Sequence, residues 1–117
     1  RDTLKAARIL FEAKEYKSAN NRAYYAILQA LNAVHALDGN AYKRHKDAIA
    51  NFNKTYIKND IFPREIGRKI GEAEEIRHAS DYDDFYVASV EETERQISAA
   101  NEFIGLVEAH CKKRIEE

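Results

Sequence analysis

The sequence predicts an all-α, up-and-down bundle of four main helices with a fifth, accessory helix, and three observations carry that prediction. Apolar residues recur at intervals of three and four in five stretches, the spacing of one helix face. The 117 residues include only four Gly and one Pro, too few for an all-β sandwich or barrel that turns every ~8–12 residues. No repeat, low-complexity tract or linker divides the chain, so residues 1–117 are expected to form one helical domain with short connections. A chain of this length can bury roughly two thirds of its unfolded surface, enough for a core without disulfides or a structural metal.

The first helix is expected over Thr3–Lys14, with Leu4, Ala7, Leu10 and Phe11 on one side. The second, Lys17–Leu37, carries Ala19, Ala23, Ala26, Ala30, Ala33 and Leu37 as a small-residue stripe that Tyr24, Ile27, Leu31 and Val34 widen. Its alanines let a neighbouring helix approach closely, and Asp38-Gly39-Asn40 is a C-terminal stop. The third, Arg44–Tyr56, turns Ile49, Phe52 and Tyr56 inward. Pro63 sits where a first helical residue is tolerated, and the fourth helix presents Ile66, Ile70, Ala73 and then Arg77 on one line. Ser89-Val90-Glu91-Glu92 is a capping box opening the fifth helix, which continues with Ile97, Ala100, Ile104, Val107 and Cys111 and is expected to lie antiparallel to the fourth.

Composition narrows the classes of function. Nineteen basic against twenty acidic side chains exclude a uniformly basic nucleic-acid binder, yet the charges are segregated. Residues 42–69 hold eight basic and three acidic side chains, whereas residues 72–95 hold nine acidic and two basic. Such a dipolar chain suits a phosphate-bearing partner or complementary self-association, and a solvated helix face is the plainer reading. No apolar run approaches the ~18 residues of a membrane span, and the opening residues show no signal-peptide pattern. With one cysteine, Cys111, an intrachain disulfide is excluded and a reducing, cytoplasmic compartment is expected. The start at Arg1 is compatible with a trimmed piece. His35, His45, His78 and His110 lie on different predicted elements, and His110 and Cys111 diverge by about 100° on a helix, so no metal is expected. No Gly-rich phosphate loop or nucleophile elbow is present, and no cofactor is expected.

Candidate chemistry centres on Arg77, a cation closing an apolar line and followed by Ala79-Ser80-Asp81-Tyr82-Asp83-Asp84. One reading pairs Arg77 with Asp81 or Asp84 as an anchor for the following loop. The other makes Arg77 a phosphate clamp with Asp81 or Tyr82 alongside. Asn20, Asn21 and Arg22 form a polar cluster opening a buried helix. His45 and Lys46 sit in the basic stretch, and either hydroxyl of Tyr24 and Tyr25 is expected to pair with Asn20 or Arg77.

Three motifs in order, Asn20-Asn21-Arg22-Ala23-Tyr24-Tyr25-Ala26-Ile27, His45-Lys46-Asp47-Ala48-Ile49 leading to Phe52, and Arg77 followed by Asp81-Tyr82, resemble the HEPN domain family, in its small prokaryotic branch. The resemblance implies a helical bundle that forms a homodimer with the polar motif at the cleft. It also implies toxins paired with a nucleotidyltransferase antitoxin of the MNT type, and metal-independent endoribonucleases with an Arg, four to six intervening residues and then a His, the Arg binding the scissile phosphate and the His moving protons. Arg77 maps onto the Arg; no His maps, since His78 is adjacent and Tyr82 occupies the near end of the window. Imidazole exchanges protons near ~6.5, whereas an unperturbed Tyr near ~10 stays protonated and an unperturbed Asp near ~3.9 stays ionised. The resemblance therefore leaves two readings. One is an RNA-binding or RNA-cleaving toxin with Arg77, Asp81 and Tyr82 as catalytic set and Asn20, Arg22, His45 and Lys46 as RNA contacts. The other is an inactive dimerisation module that binds a nucleotidyltransferase. A tyrosine accepting a transferred nucleotide would be Tyr82 or Tyr86.

Overall fold

The computed structural model describes all 117 residues, with no strand. Five α-helices form the molecule: α1 (Asp2–Glu12), α2 (Tyr16–Leu37), α3 (His45–Phe52), α4 (Arg64–Tyr82) and α5 (Val90–Glu116). The third continues without a break into a π-helical segment, Asn53–Ile57, so the expected Arg44–Tyr56 helix is present with a wider turn at its end. The bundle is elongated, 45 × 25 × 24 Å.

Helix α2 is the axis. Ala19, Ala23, Ala26 and Ala30 are buried together with Tyr24, Ile27, Leu28, Leu31 and Val34, and short side chains let α1, α4 and above all α5 close on it. Ala33 and Leu37, expected in the stripe, are exposed; a 3.6-residue helix carries them round to the solvent side near its C-terminus. The stop forms as expected. Gly39 takes φ +76°, the left-handed conformation that glycine tolerates, and the amides of Gly39 and Asn40 close on the Ala36 and His35 carbonyls. Helix α5 packs chiefly on α2, with a smaller contact on α4.

The α3–π unit wraps an aromatic cluster. Phe52 is fully buried and touches Tyr56, Phe62, Phe103 and His35 at ring separations of 5.1–5.9 Å. His35 Nε2 donates to the Ala48 carbonyl at 2.9 Å, which fixes α3 across the end of α2. Gly67 permits the π segment to lie against α4, since a Cβ there would sit 3.0 Å from Ile57 Cγ2. Consequently α3 starts at the end of the bundle where α4 finishes, and the two run past each other.

At the opposite end, the Tyr56 hydroxyl donates to Asp38, and Arg114 Nη2 donates to the same carboxylate at 2.8 Å. Arg114, then Tyr56, hold the Asp38 carboxyl below its ordinary pKa; burial, then Asp38, push the Tyr56 hydroxyl up. Because the folded carboxyl is depressed, its contribution is complete above the unfolded carboxylate pKa and disappears as pH falls through the folded value. Asp38→Ala should therefore lower the melting temperature by about 4–8 °C at pH 7, the effect of roughly one lost hydrogen bond. The gap to wild type should narrow steadily below about pH 4, as followed by circular dichroism melts across pH.

Candidate functional site

Helix α2 presents Ser18, Asn21, Arg22 and Tyr25 at spacings of three, four and seven, which is one helix face. Arg77 of α4 completes with them a cavity of about 370 Å³. The guanidinium carbon of Arg77 lies 5.2 Å from the centre of the Tyr25 ring and 5.9 Å from that of Tyr24. Its contact is with the ring faces, not with the hydroxyls that the sequence suggested. Aromatic faces carry negative quadrupole charge, so the two rings hold the cation in place.

Arg77 Nε donates to Asp81 Oδ2 at 2.9 Å. Asp81 is helical, one turn on from Arg77, because α4 extends through Tyr82; the pair stiffens the helix end instead of anchoring a loop. With Nε engaged, the terminal nitrogens of Arg77 have no acceptor within the protein, and Arg22 has no carboxylate partner. Two cations thus line the cavity with no carboxylate among its walls, and the four N–H donors on the terminal nitrogens of Arg77 remain open to a planar or tetrahedral oxyanion.

His45, the first residue of α3, reaches the same two tyrosines. Its ring stands edge-on at 6.1 Å from Tyr24 and 5.8 Å from Tyr25. The fold therefore brings an exposed imidazole to the rings that carry Arg77, from a helix distant in sequence. Burial, then the negative charge of Glu74, raises the Tyr24 hydroxyl pKa, with Arg77 opposing; Tyr24 is a neutral platform.

The HEPN domain family model matches residues 1–110. The chain belongs to the HEPN domain family. Among its relatives is a UPF0332 protein of Thermotoga maritima, 27% identical over 108 residues that cover 92% of this chain and 82% of the relative. A Methanocaldococcus jannaschii protein named "Putative toxin" is 33% identical over 81 residues, 69% of this chain and 60% of that protein.

In this HEPN protein, Arg77, Asp81, Arg22 and His45 gather around Tyr24 and Tyr25, while the other three candidates lie elsewhere. Tyr82 is 76% exposed and its ring lies against His78 at 4.7 Å. Lys46 lines a separate groove between α3 and α4 with Asn53, Glu74, Glu75 and His78. Asn20 is buried without a hydrogen-bond partner. It faces the Tyr86 hydroxyl together with Ser80, and both lower that group's pKa, against the larger upward push of burial and of Glu92. Sequence reasoning missed Ser18 and the faces of Tyr24 and Tyr25; the i, i+3, i+4, i+7 pattern from Ser18 to Tyr25 is the signal that could have found the first.

Tyr86 pins the connection between α4 and α5. Its hydroxyl donates to Glu92, so only the serine half of the expected capping box forms, Ser89 accepting from the Glu92 amide at 3.1 Å. Held so, the connection turns Phe85 and Val87 outward, 92% and 84% exposed. No helix is long and apolar enough to cross a membrane, and no three His, Cys, Asp or Glu side chains converge as metal ligands. Tyr86→Phe should lower stability by about 1 kcal/mol and speed limited proteolysis after Phe85 several-fold, read by mass spectrometry of the fragments.

Proposed function

We propose that this HEPN protein is a toxin-like, RNA-binding homodimer in which Arg77 holds a backbone phosphate. The observation that carries the reading is the free donor edge of Arg77, fixed on two tyrosine faces and opening into a cavity shared with Arg22. The toxin name of one relative supports the biological setting. The exposed Tyr82, Phe85 and Val87, which follow Asp81 closely in the chain, offer apolar area suited to a second copy, which would bring two Arg77 sites to one cleft.

Cleavage has its own support in His45. With a phosphate on Arg77, the imidazole at the same tyrosine pair would accept the proton of the neighbouring ribose 2′-hydroxyl. The 2′-oxygen then bonds to phosphorus, the bond from phosphorus to the 5′-oxygen breaks, and the departing oxygen takes a proton from water. The products are a 2′,3′-cyclic phosphate and a free 5′-hydroxyl, and no metal is needed. Asp81 orients the guanidinium in this scheme. A second reading, an inactive module docking a nucleotidyltransferase through Phe85 and Val87, rests on the same apolar surface without using Arg77.

Arg77→Ala should weaken binding of a labelled single-stranded RNA by roughly 10–100-fold, the loss of one charge-assisted contact, with EDTA leaving wild type unaffected. His45→Gln should retain affinity and slow cleavage by roughly 10²–10⁴-fold. Equal RNA affinity in wild type and Arg77→Ala would contradict the phosphate role and favour the docking module. Phe85→Glu with Val87→Glu should halve the sedimenting mass.

A further inference from the structure

Eight basic residues lie between Tyr42 and Lys69, and the fold divides them. Arg44 pairs with Asp47, Arg64 with Asp60, and Lys69 with Glu65 and Glu102. Lys43, Lys46, Lys54, Lys58 and Arg68 are exposed and none has a carboxylate partner in the structure; Arg68 stands on α4, the other four on or beside the α3–π unit. Ile49, Phe52 and Tyr56 are the buried positions of the α3–π unit, and on a helical wheel Lys46, Lys54 and Lys58 fall on its solvent side. From Lys46 to Lys58 the unit advances roughly 18 Å at the ordinary helical rise, somewhat less through the wider turn.

The position of this row gives it meaning. It begins beside His45, whose ring touches the two tyrosines under Arg77, and leads away along α3. Across the groove, α4 presents Glu74 and Glu75, which repel a polyanion and confine it to the lysine side. Unpaired lysines in a line, starting at an anion cavity and bounded by acids, form an electrostatic track.

We propose that the lysines along the α3–π unit, Lys43 just before it, Lys46 and Lys54 on it and Lys58 at its end, bind the phosphates of single-stranded RNA flanking the one held at Arg77. The track has room for about three phosphates of an extended strand, and its contacts are to the backbone, so it reads no sequence. This inference rests on the RNA reading above. The competing occupant, the acidic 72–95 segment of a second copy, fits the charge but not the continuity with the Arg77 cavity.

The test is the salt dependence of binding a fluorescein-labelled nonamer of uridine, by anisotropy between 50 and 200 mM NaCl, for wild type, Lys54→Gln/Lys58→Gln and Lys112→Gln/Lys113→Gln. The last pair removes equal charge from exposed α5 positions. Each lost phosphate contact lowers the slope of log K against log salt by about 0.7, so the Lys54/Lys58 variant should lose about 1.4 and the α5 variant nothing. Equal losses in both variants would reduce the track to net charge and overturn it. An unchanged slope for Lys54→Gln/Lys58→Gln, with Arg77→Ala still weakening binding, would overturn the track and leave the RNA reading standing. A fall in sedimenting mass of the Lys54/Lys58 variant with its RNA slope intact would assign the face to self-association. No binding of the nonamer by wild type would remove both the reading and the track.

Discussion

The placement of Arg77 on the faces of Tyr24 and Tyr25 is the constraint from which the rest of the site follows. A cation–π contact of this kind contributes about 0.5–2 kcal/mol depending on desolvation, and the partly exposed i, i+4 pair with Asp81 about 0.3–0.5 kcal/mol. Fixing an arginine side chain costs about 2 kcal/mol of rotamer entropy. These terms nearly cancel, so Arg77 adds little to stability; what the arrangement provides is orientation. The guanidinium is held at its Nε edge and left open at its terminal nitrogens, the condition for receiving an anion without further ordering.

Helix packing makes that placement possible. The alanines of α2 allow α4 and α5 to approach the helix that carries both tyrosines, and Gly67 lets the α3–π unit lie against α4. Because α3 departs from the end where α4 arrives, His45, Arg77 and the lysine row occupy one end and one flank. The acidic connection between α4 and α5 is held at that end by Tyr86. The basic and acidic segments of the sequence thus meet side by side at one end of the bundle, Lys46 sharing a groove with Glu74 and Glu75, and the near-neutral total conceals both.

The helices were legible in the sequence because their apolar spacing and stop signals act locally: Gly39 and Ser89 end and start helices where expected. The π-helical turn was not, since Phe52 and Tyr56, four residues apart, share a face in an ordinary α-helix as well and their spacing carries no sign of the wider turn. Arg77 and Asp81 stand one turn apart, so their pairing could be read from spacing. His45 reaching Tyr24 and Tyr25 depends on how α3 crosses α2, which no local pattern encodes. Asn20 misled for a related reason: a polar residue opening a helix reads as surface or cleft, whereas here it is sealed beneath Tyr86.

The central claim, that the free edge of Arg77 receives a phosphate, is tested most directly by nuclear magnetic resonance of the arginine Nε–Hε groups in ¹⁵N-labelled protein during titration with a uridine oligomer. The account predicts that the Arg77 signal shifts and its exchange with water slows, saturating together with binding, while Arg114, tied to Asp38 at the opposite end, stays still. An Arg77 signal that does not move while the oligomer binds would contradict it.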